Sequence, residues 1–171
     1  YGFIRKNKSL NELFEVVQYI KTTKPIKILI VGKRDINTQL FLKNTCKKNK
    51  KLASMIININ KFSDDLFEKI VFKASNLTWT GYSKDFYGSS GVYFLSSTNH
   101  VPVISSNHGA IGWYSKRFNI GASVDLANKK KLTQVLNRMV NFNRKSNYDF
   151  AKVNLIYNFK NFGFSICKNL K

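Results

Sequence analysis

The strongest constraint on this chain is an alternation of two hydrophobic periods along most of its length. Short apolar runs rich in β-branched residues occupy positions 26–31, 54–59, 77–80, 101–105 and 122–125, and the opening Tyr1-Gly2-Phe3-Ile4-Arg5 reads as the end of a sixth. Between them apolar side chains recur at helical spacing. Parallel neighbours require crossovers and helices supply them, so the pattern predicts an α/β fold. We expect a six-stranded, mainly parallel sheet with helices on both faces.

The helical stretches carry their own punctuation. Ser9-Leu10-Asn11-Glu12 reads as a capping box, followed by an apolar face of Leu10, Leu13, Phe14, Val17 and Ile20, with Pro25 as the stop. Residues 35–50 form a helix with Leu40, Phe41 and Cys46 turned inward. Ser63 caps a helix with Leu66, Phe67, Ile70, Val71 and Ala74 as its buried stripe, and Asp64 and Asp65 sit in the first turn where the helix dipole favours anions. Helices at Gly91–Thr98, 111–117 and 129–143 complete the series. Residues 1–147 are expected to form one domain. Residues 148–171, with Phe150, Val153, Ile156, Tyr157, Phe159, Phe162, Phe164 and Ile166 among lysines, read as amphipathic helices packing on that domain or on a missing N-terminal one; a basic, aromatic segment also suits an anionic membrane surface.

Charge narrows the partner. Lys+Arg 29 against Asp+Glu 9 gives a formal net charge of +20, which attracts polyanions, anionic membrane or phosphorylated small molecules. Only five of the 29 are arginine, the side chain suited to bidentate base and phosphate contacts, which argues against a specific nucleic-acid reader. Cys46 and Cys167 are far apart, His100 and His108 lack partners at metal spacing, and no disulfide framework, metal site or cofactor is expected. No apolar run approaches the length of about 20 residues that spans a bilayer, and no signal-peptide pattern opens the chain, so a cytoplasmic location with reduced thiols is expected. The start at Tyr1, without Met and inside a strand-like run, suggests a piece of something longer.

Parallel sheets bind ligands at the carboxyl ends of their strands, beside helix N-termini. Three loops qualify. The first holds Arg5, Lys6 and Lys8; the second is Tyr87-Gly88-Ser89-Ser90-Gly91-Val92, a small-residue turn entering a helix; the third is Asn107-His108-Gly109-Ala110-Ile111-Gly112. Each also reads as an ordinary loop or helix cap. A Walker loop, a G-x-G-x-x-G fingerprint and a G-x-S-x-G elbow are all absent, which removes the main support for P-loop hydrolysis, hydride transfer and serine hydrolysis.

Taken in order, these pieces resemble the C-terminal, nucleotide-sugar-binding half of a GT-B glycosyltransferase of the family four type, which is Rossmann-like. Gly2-Phe3-Ile4-Arg5-Lys6-Asn7-Lys8-Ser9-Leu10 is similar to the family opening G-x-[IL]-x-x-x-K-G-[IL], and Lys8 takes the position of its lysine. Ile28-Leu29-Ile30-Val31-Gly32 and Phe62-Ser63-Asp64-Asp65-Leu66 resemble the next two segments. Ser89-Ser90-Gly91-Val92 through Pro102-Val103-Ile104-Ser105-Ser106 and Gly109 resembles the most specific stretch. The resemblance implies retaining transfer from a nucleoside-diphosphate sugar to a polysaccharide or glycolipid acceptor, without an obligatory metal. It assigns the donor diphosphate to Lys8; as charges and hydrogen-bond donors Arg5, Ser89, Ser90, Gly91 and Val92 are expected to join it, and Gly32, Phe62, Tyr82, His108 and Gly109 are expected at the sugar or base. Two departures stand out. The family's E-x7-E glutamates fall at Tyr87 and Leu95, with Asp85 the nearest carboxylate, and the arginine frequent in the opening motif is Phe3. The acceptor site and catalytic groups are expected in a missing domain, and a non-catalytic nucleotide- or macromolecule-binding module is the alternative.

Overall fold

The computed structural model describes residues 1–61, 64–141 and 148–157, with side chains in the last segment described to Asn154. The expectations for Phe62, Ser63, the side chains of Ile156 and Tyr157, Phe159, Phe162, Phe164, Ile166 and Cys167 lie outside the described residues.

The chain alternates as its hydrophobic pattern dictates. After a 3-10 turn at Lys6–Lys8 come α1 (Leu10–Val17), β1 (Ile28–Val31), α2 (Ile36–Lys48), α3 (Lys50–Met55), β2 (Ile56–Ile59), α4 (Asp65–Ala74) and β3 (Thr78–Thr80). Then follow α5 (Gly91–Thr98), β4 (Val103–Ser106), α6 (Gly109–Arg117), β5 (Gly121–Val124), α7 (Lys129–Asn141) and α8 (Phe150–Tyr157). All pairing among the described residues is parallel. β1 lies beside β2 with Ile28 opposite Ile56, and β3-β4-β5 form a second group with Thr78 opposite Val103 and Val103 opposite Gly121.

The expected sixth strand is reduced to a single parallel bridge between Ile4 and Arg34, supported by the Ile4 amide donating to the Lys33 carbonyl at 2.8 Å. Gly2 and Gly32 account for this. Both have positive φ, +88° and +131°, and a Cβ on Gly32 would stand 1.7 Å from the Gly2 carbonyl oxygen. The first segment therefore crosses the end of β1 backbone against backbone instead of running beside it in a ladder. Ile4 itself is buried.

Side chains alternate between two layers, as a strand's period of two requires. Ile104 of β4 joins Leu13, Phe14, Val16 and Val17 of α1, Leu42, Leu52, Leu132 and Leu136 in one cluster. Its neighbour Val103 points the other way and packs with Tyr82, Tyr93, Ile111, Phe118, Ile120 and Val153. Helix α8 is fastened to α5, where the Ser97 hydroxyl reaches Asn154 Oδ1 at 3.1 Å and His100 stacks on Phe150.

Several local expectations are corrected. Ser9 forms no capping box; its φ is +45° and its side chain makes no cap hydrogen bond, because it closes the 3-10 turn as well as opening α1. That left-handed position is where the resembling motif carries glycine. Ser9→Gly is therefore expected to stabilise the fold by about 0.5–1 kcal/mol, the relief of left-handed strain less glycine's extra unfolded-state entropy. A rise in the thermal midpoint checks it. In α2 the buried residues are Thr38 and Leu42, while Leu40 is 49% exposed. The run expected at 54–59 is helical up to Met55, because Asn49 accepts from the Leu52 amide and starts α3. In α4 Asp64 is the cap, accepting from Phe67, and Val71 and Phe72 are buried while Leu66 (70%) and Ile70 (52%) face outward.

Candidate functional site

Lys8 is placed by its main chain and aimed by a tyrosine. The Trp79 indole donates to the Lys8 carbonyl at 2.8 Å, fixing the turn against β3. The Lys8 ammonium donates to the Tyr82 hydroxyl at 2.5 Å. Tyr82 is buried, its ring stacked 4.2 Å from Phe86, and its hydroxyl lies 3.0 Å from Ser90 Oγ. A lysine near residue 8 and a serine near residue 90 thus meet through one phenol.

Ser90 is the N-cap of α5. Its backbone is extended and its side chain accepts from the Tyr93 amide at 3.4 Å, as helix entry favours. The next two amides, of Gly91 and Val92, occupy the first positions of the helix and have no hydrogen-bond partner among the described residues. Gly91 is exposed, and a Cβ built on it would meet nothing within 4 Å. Val92 packs beside Gly2. The α5 entrance is therefore open and lined by donors.

The entrance to α6 is closed. His108 is its N-cap without a side-chain cap bond, Gly109 takes φ +62°, and the Ala110 amide donates to the Tyr87 carbonyl at 3.0 Å. A Cβ on Gly109 would stand 2.8 Å from Tyr87 Cα, so the chain around Tyr87 covers this helix end. His108 Nε2 lies 2.9 Å from the Ser83 carbonyl, and the Ser83 amide donates to the Asn7 carbonyl at 2.9 Å. Ser83, which no local pattern singles out, ties the first and third loops together.

The other sequence-assigned residues take no part in the Lys8–Tyr82–Ser90 hydrogen bonds. Arg5 is exposed, with its guanidinium over the Phe3 ring at 4.6 Å. Its charge also contributes to holding the Asp35 carboxyl below the usual range, after the larger effect of the Thr38 amide. Gly32 is buried in the crossing with Gly2. Ser89 is exposed next to Ser90. Tyr87, at the first glutamate position of the resembling motif, is 70% exposed, and Leu95, at the second, packs beside Phe72, Val92 and Val101.

The Lys8 charge has no ion-pair partner among the described residues. Among the described residues the one ion pair joins Lys129 to Glu15, so the half-buried Lys8 ammonium has a neutral phenol as its partner and no carboxylate at salt-bridge distance. A cation, a buried serine hydroxyl and two unpaired helix-terminal amides suit an oxyanion with several acceptor oxygens. No group of three or more His, Cys, Asp or Glu side chains that could hold a metal ion occurs among the described residues, and none of their helices is long and apolar enough to cross a membrane.

No protein-family model matches the sequence, and neither does any curated protein. Solved structures do share the fold. Anabaena HepE in complex with UDP and glucose superposes with a TM-score of 0.78 at 13% identity, covering 99% of this chain and 47% of that one. The C-terminal domain of the glycosyl transferase group 1 protein LpcC from Francisella tularensis gives 0.69 at 16% identity, over 92% of this chain and 83% of that domain. Methanocaldococcus jannaschii UDP-GlcNAc 2-epimerase, in complex with UDP-GlcNAc and UDP, gives 0.58 at 20% identity over 99% and 44%. The chain spans about half the length of the two larger structures. At these identities the likeness is one of fold, the Rossmann-like α/β arrangement of a GT-B C-terminal domain.

Proposed function

We propose that this chain is the donor-binding half of a retaining glycosyltransferase of the family four type, holding a nucleoside-diphosphate sugar by its diphosphate. The observation that carries this reading is the meeting of Lys8 and Ser90 through Tyr82, beside the unpaired amides of Gly91 and Val92. When the bond between the anomeric carbon and the diphosphate oxygen breaks, its electron pair goes to that oxygen and the leaving group gains negative charge. Fixed donors lose little reorganisation energy there and so lower the barrier. The acceptor, a growing polysaccharide or a glycolipid, and the groups that activate it belong to a second domain. Residues 1–147 are the donor unit, and 148–171 follow it as a segment whose first helix packs on α5. The net charge of +20 suits peripheral attachment to the anionic inner face of a membrane.

A second reading, a non-catalytic nucleotide- or macromolecule-binding module, is favoured by Tyr87 and Leu95 where the resembling family has glutamates. Calorimetric titration of the full chain with UDP, GDP and their sugars separates the two. Saturable binding that requires the diphosphate supports the donor reading. Absence of nucleotide preference together with strongly salt-sensitive binding to arbitrary RNA supports the second and overturns the first.

A further inference from the structure

We infer that Tyr82 is a positioning residue that sets the direction of the protons facing the bound diphosphate; the inference rests on the donor reading above. The reasoning is one of hydrogen-bond polarity. An ammonium is donor only, so the Tyr82 oxygen accepts from Lys8. Among the described residues the Tyr82 proton has one acceptor, Ser90 Oγ at 3.0 Å, whereas the opposite direction would leave the phenol proton unpaired. Ser90 Oγ also accepts from the Tyr93 amide, so both its lone pairs are taken and its own proton is left over. Ser90 is only 3% exposed, and with Tyr82 donating to it its hydroxyl proton has no further acceptor among the described residues.

A buried donor without an acceptor is costly, and the cost is relieved when an acceptor arrives. The phenol therefore does two things without touching the ligand. It holds the Lys8 ammonium at the mouth of α5 with two further N–H donors to spend, and by donating to Ser90 Oγ it leaves the Ser90 proton for an incoming acceptor. An oxyanion at that mouth receives donors from Lys8, Ser90, Gly91 and Val92 together. A chain of such bonds, polarised in one direction from a cation, also strengthens the last donor. Stacking on Phe86 and burial lock the phenol, so the arrangement exists before any ligand is bound.

Tyr82→Phe keeps the ring and removes the hydroxyl. Titrating the full chain with UDP and inorganic pyrophosphate, we expect this variant to lose about tenfold in affinity for both, with a thermal midpoint close to that of the parent. In a Ser90→Ala background the same change is expected to cost no more than about twofold, since the relay already lacks its last member. Ser90→Thr, which restores a hydroxyl at the cap, is expected to recover the affinity that Ser90→Ala loses, and provides the readout should Tyr82→Phe unfold. Unchanged pyrophosphate affinity in Tyr82→Phe, equal losses in both backgrounds, or failure of Ser90→Thr to recover binding overturns the role of Tyr82 while leaving the donor reading intact. Failure of the parent chain to bind UDP or pyrophosphate overturns the donor reading, and the relay with it.

Discussion

Gly32→Ala is expected to abolish the cooperative thermal transition of this protein. The new Cβ would lie 1.7 Å from the Gly2 carbonyl oxygen and 2.6 Å from its carbon, both main-chain atoms, at a φ of +131° that alanine avoids. No rotamer change relieves a clash between backbones, so the first segment must leave β1. Ile4, buried at that crossing, then loses its packing. The combined cost is several kcal/mol, a large share of the roughly 5–15 kcal/mol that keeps a domain folded. Circular dichroism on heating measures it, and a sharp transition near the parent's midpoint would contradict the proposed crossing. Gly91 provides the contrast. Nothing lies within 4 Å of its added Cβ, so Gly91→Ala should leave the midpoint nearly unchanged, within about 0.5 kcal/mol, while the methyl group intrudes on the space assigned to the diphosphate.

Lys8→Ala is expected to weaken UDP binding by up to about a hundredfold, the range for losing charge-assisted hydrogen bonds to an anion. Stability should change little, because the turn is anchored through the Lys8 carbonyl, which Trp79 still engages in the variant. Removing the ammonium also spares a half-buried charge that has no acidic counterpart among the described residues. Lys8→Arg is expected to recover only part of the affinity, since a planar fork cannot make the single bond to the Tyr82 hydroxyl and still project as a compact charge. UDP affinity unchanged in Lys8→Ala would remove the diphosphate from this loop.

Much of the architecture is visible in the letters, because β-branched runs such as Ile28-Leu29-Ile30-Val31 and strong apolar stripes such as that of α1 mark where strands and helices lie. What stays hidden depends on partners distant in sequence. Leu66 and Ile70 have the spacing of a core stripe, yet α4 lies so that Val71, as expected, and Phe72, unexpected, are covered while those two face outward, and periodicity alone cannot tell two adjacent stripes apart. Ser9 fits a capping box until the turn before it forces a left-handed backbone. At the site, Lys8 and the Ser90 turn are conspicuous as a cation and a helix entry. Tyr82 reads as a ligand-facing aromatic from sequence, but its hydroxyl is taken by Lys8, 74 residues away, and by Ser90. The reach of Trp79 to Lys8 spans 71 residues and leaves no local signature.

The opening nine residues serve as both seam and snare. Ile4 and Gly2 stitch the β1-β2 pair to the rest of the molecule, and four positions beyond Ile4 the same stretch of chain carries the ammonium that the donor reading assigns to the diphosphate. Under the donor reading, a diphosphate bound at Lys8 stabilises the folded chain as a whole by mass action, so its apparent stability should rise with ligand concentration.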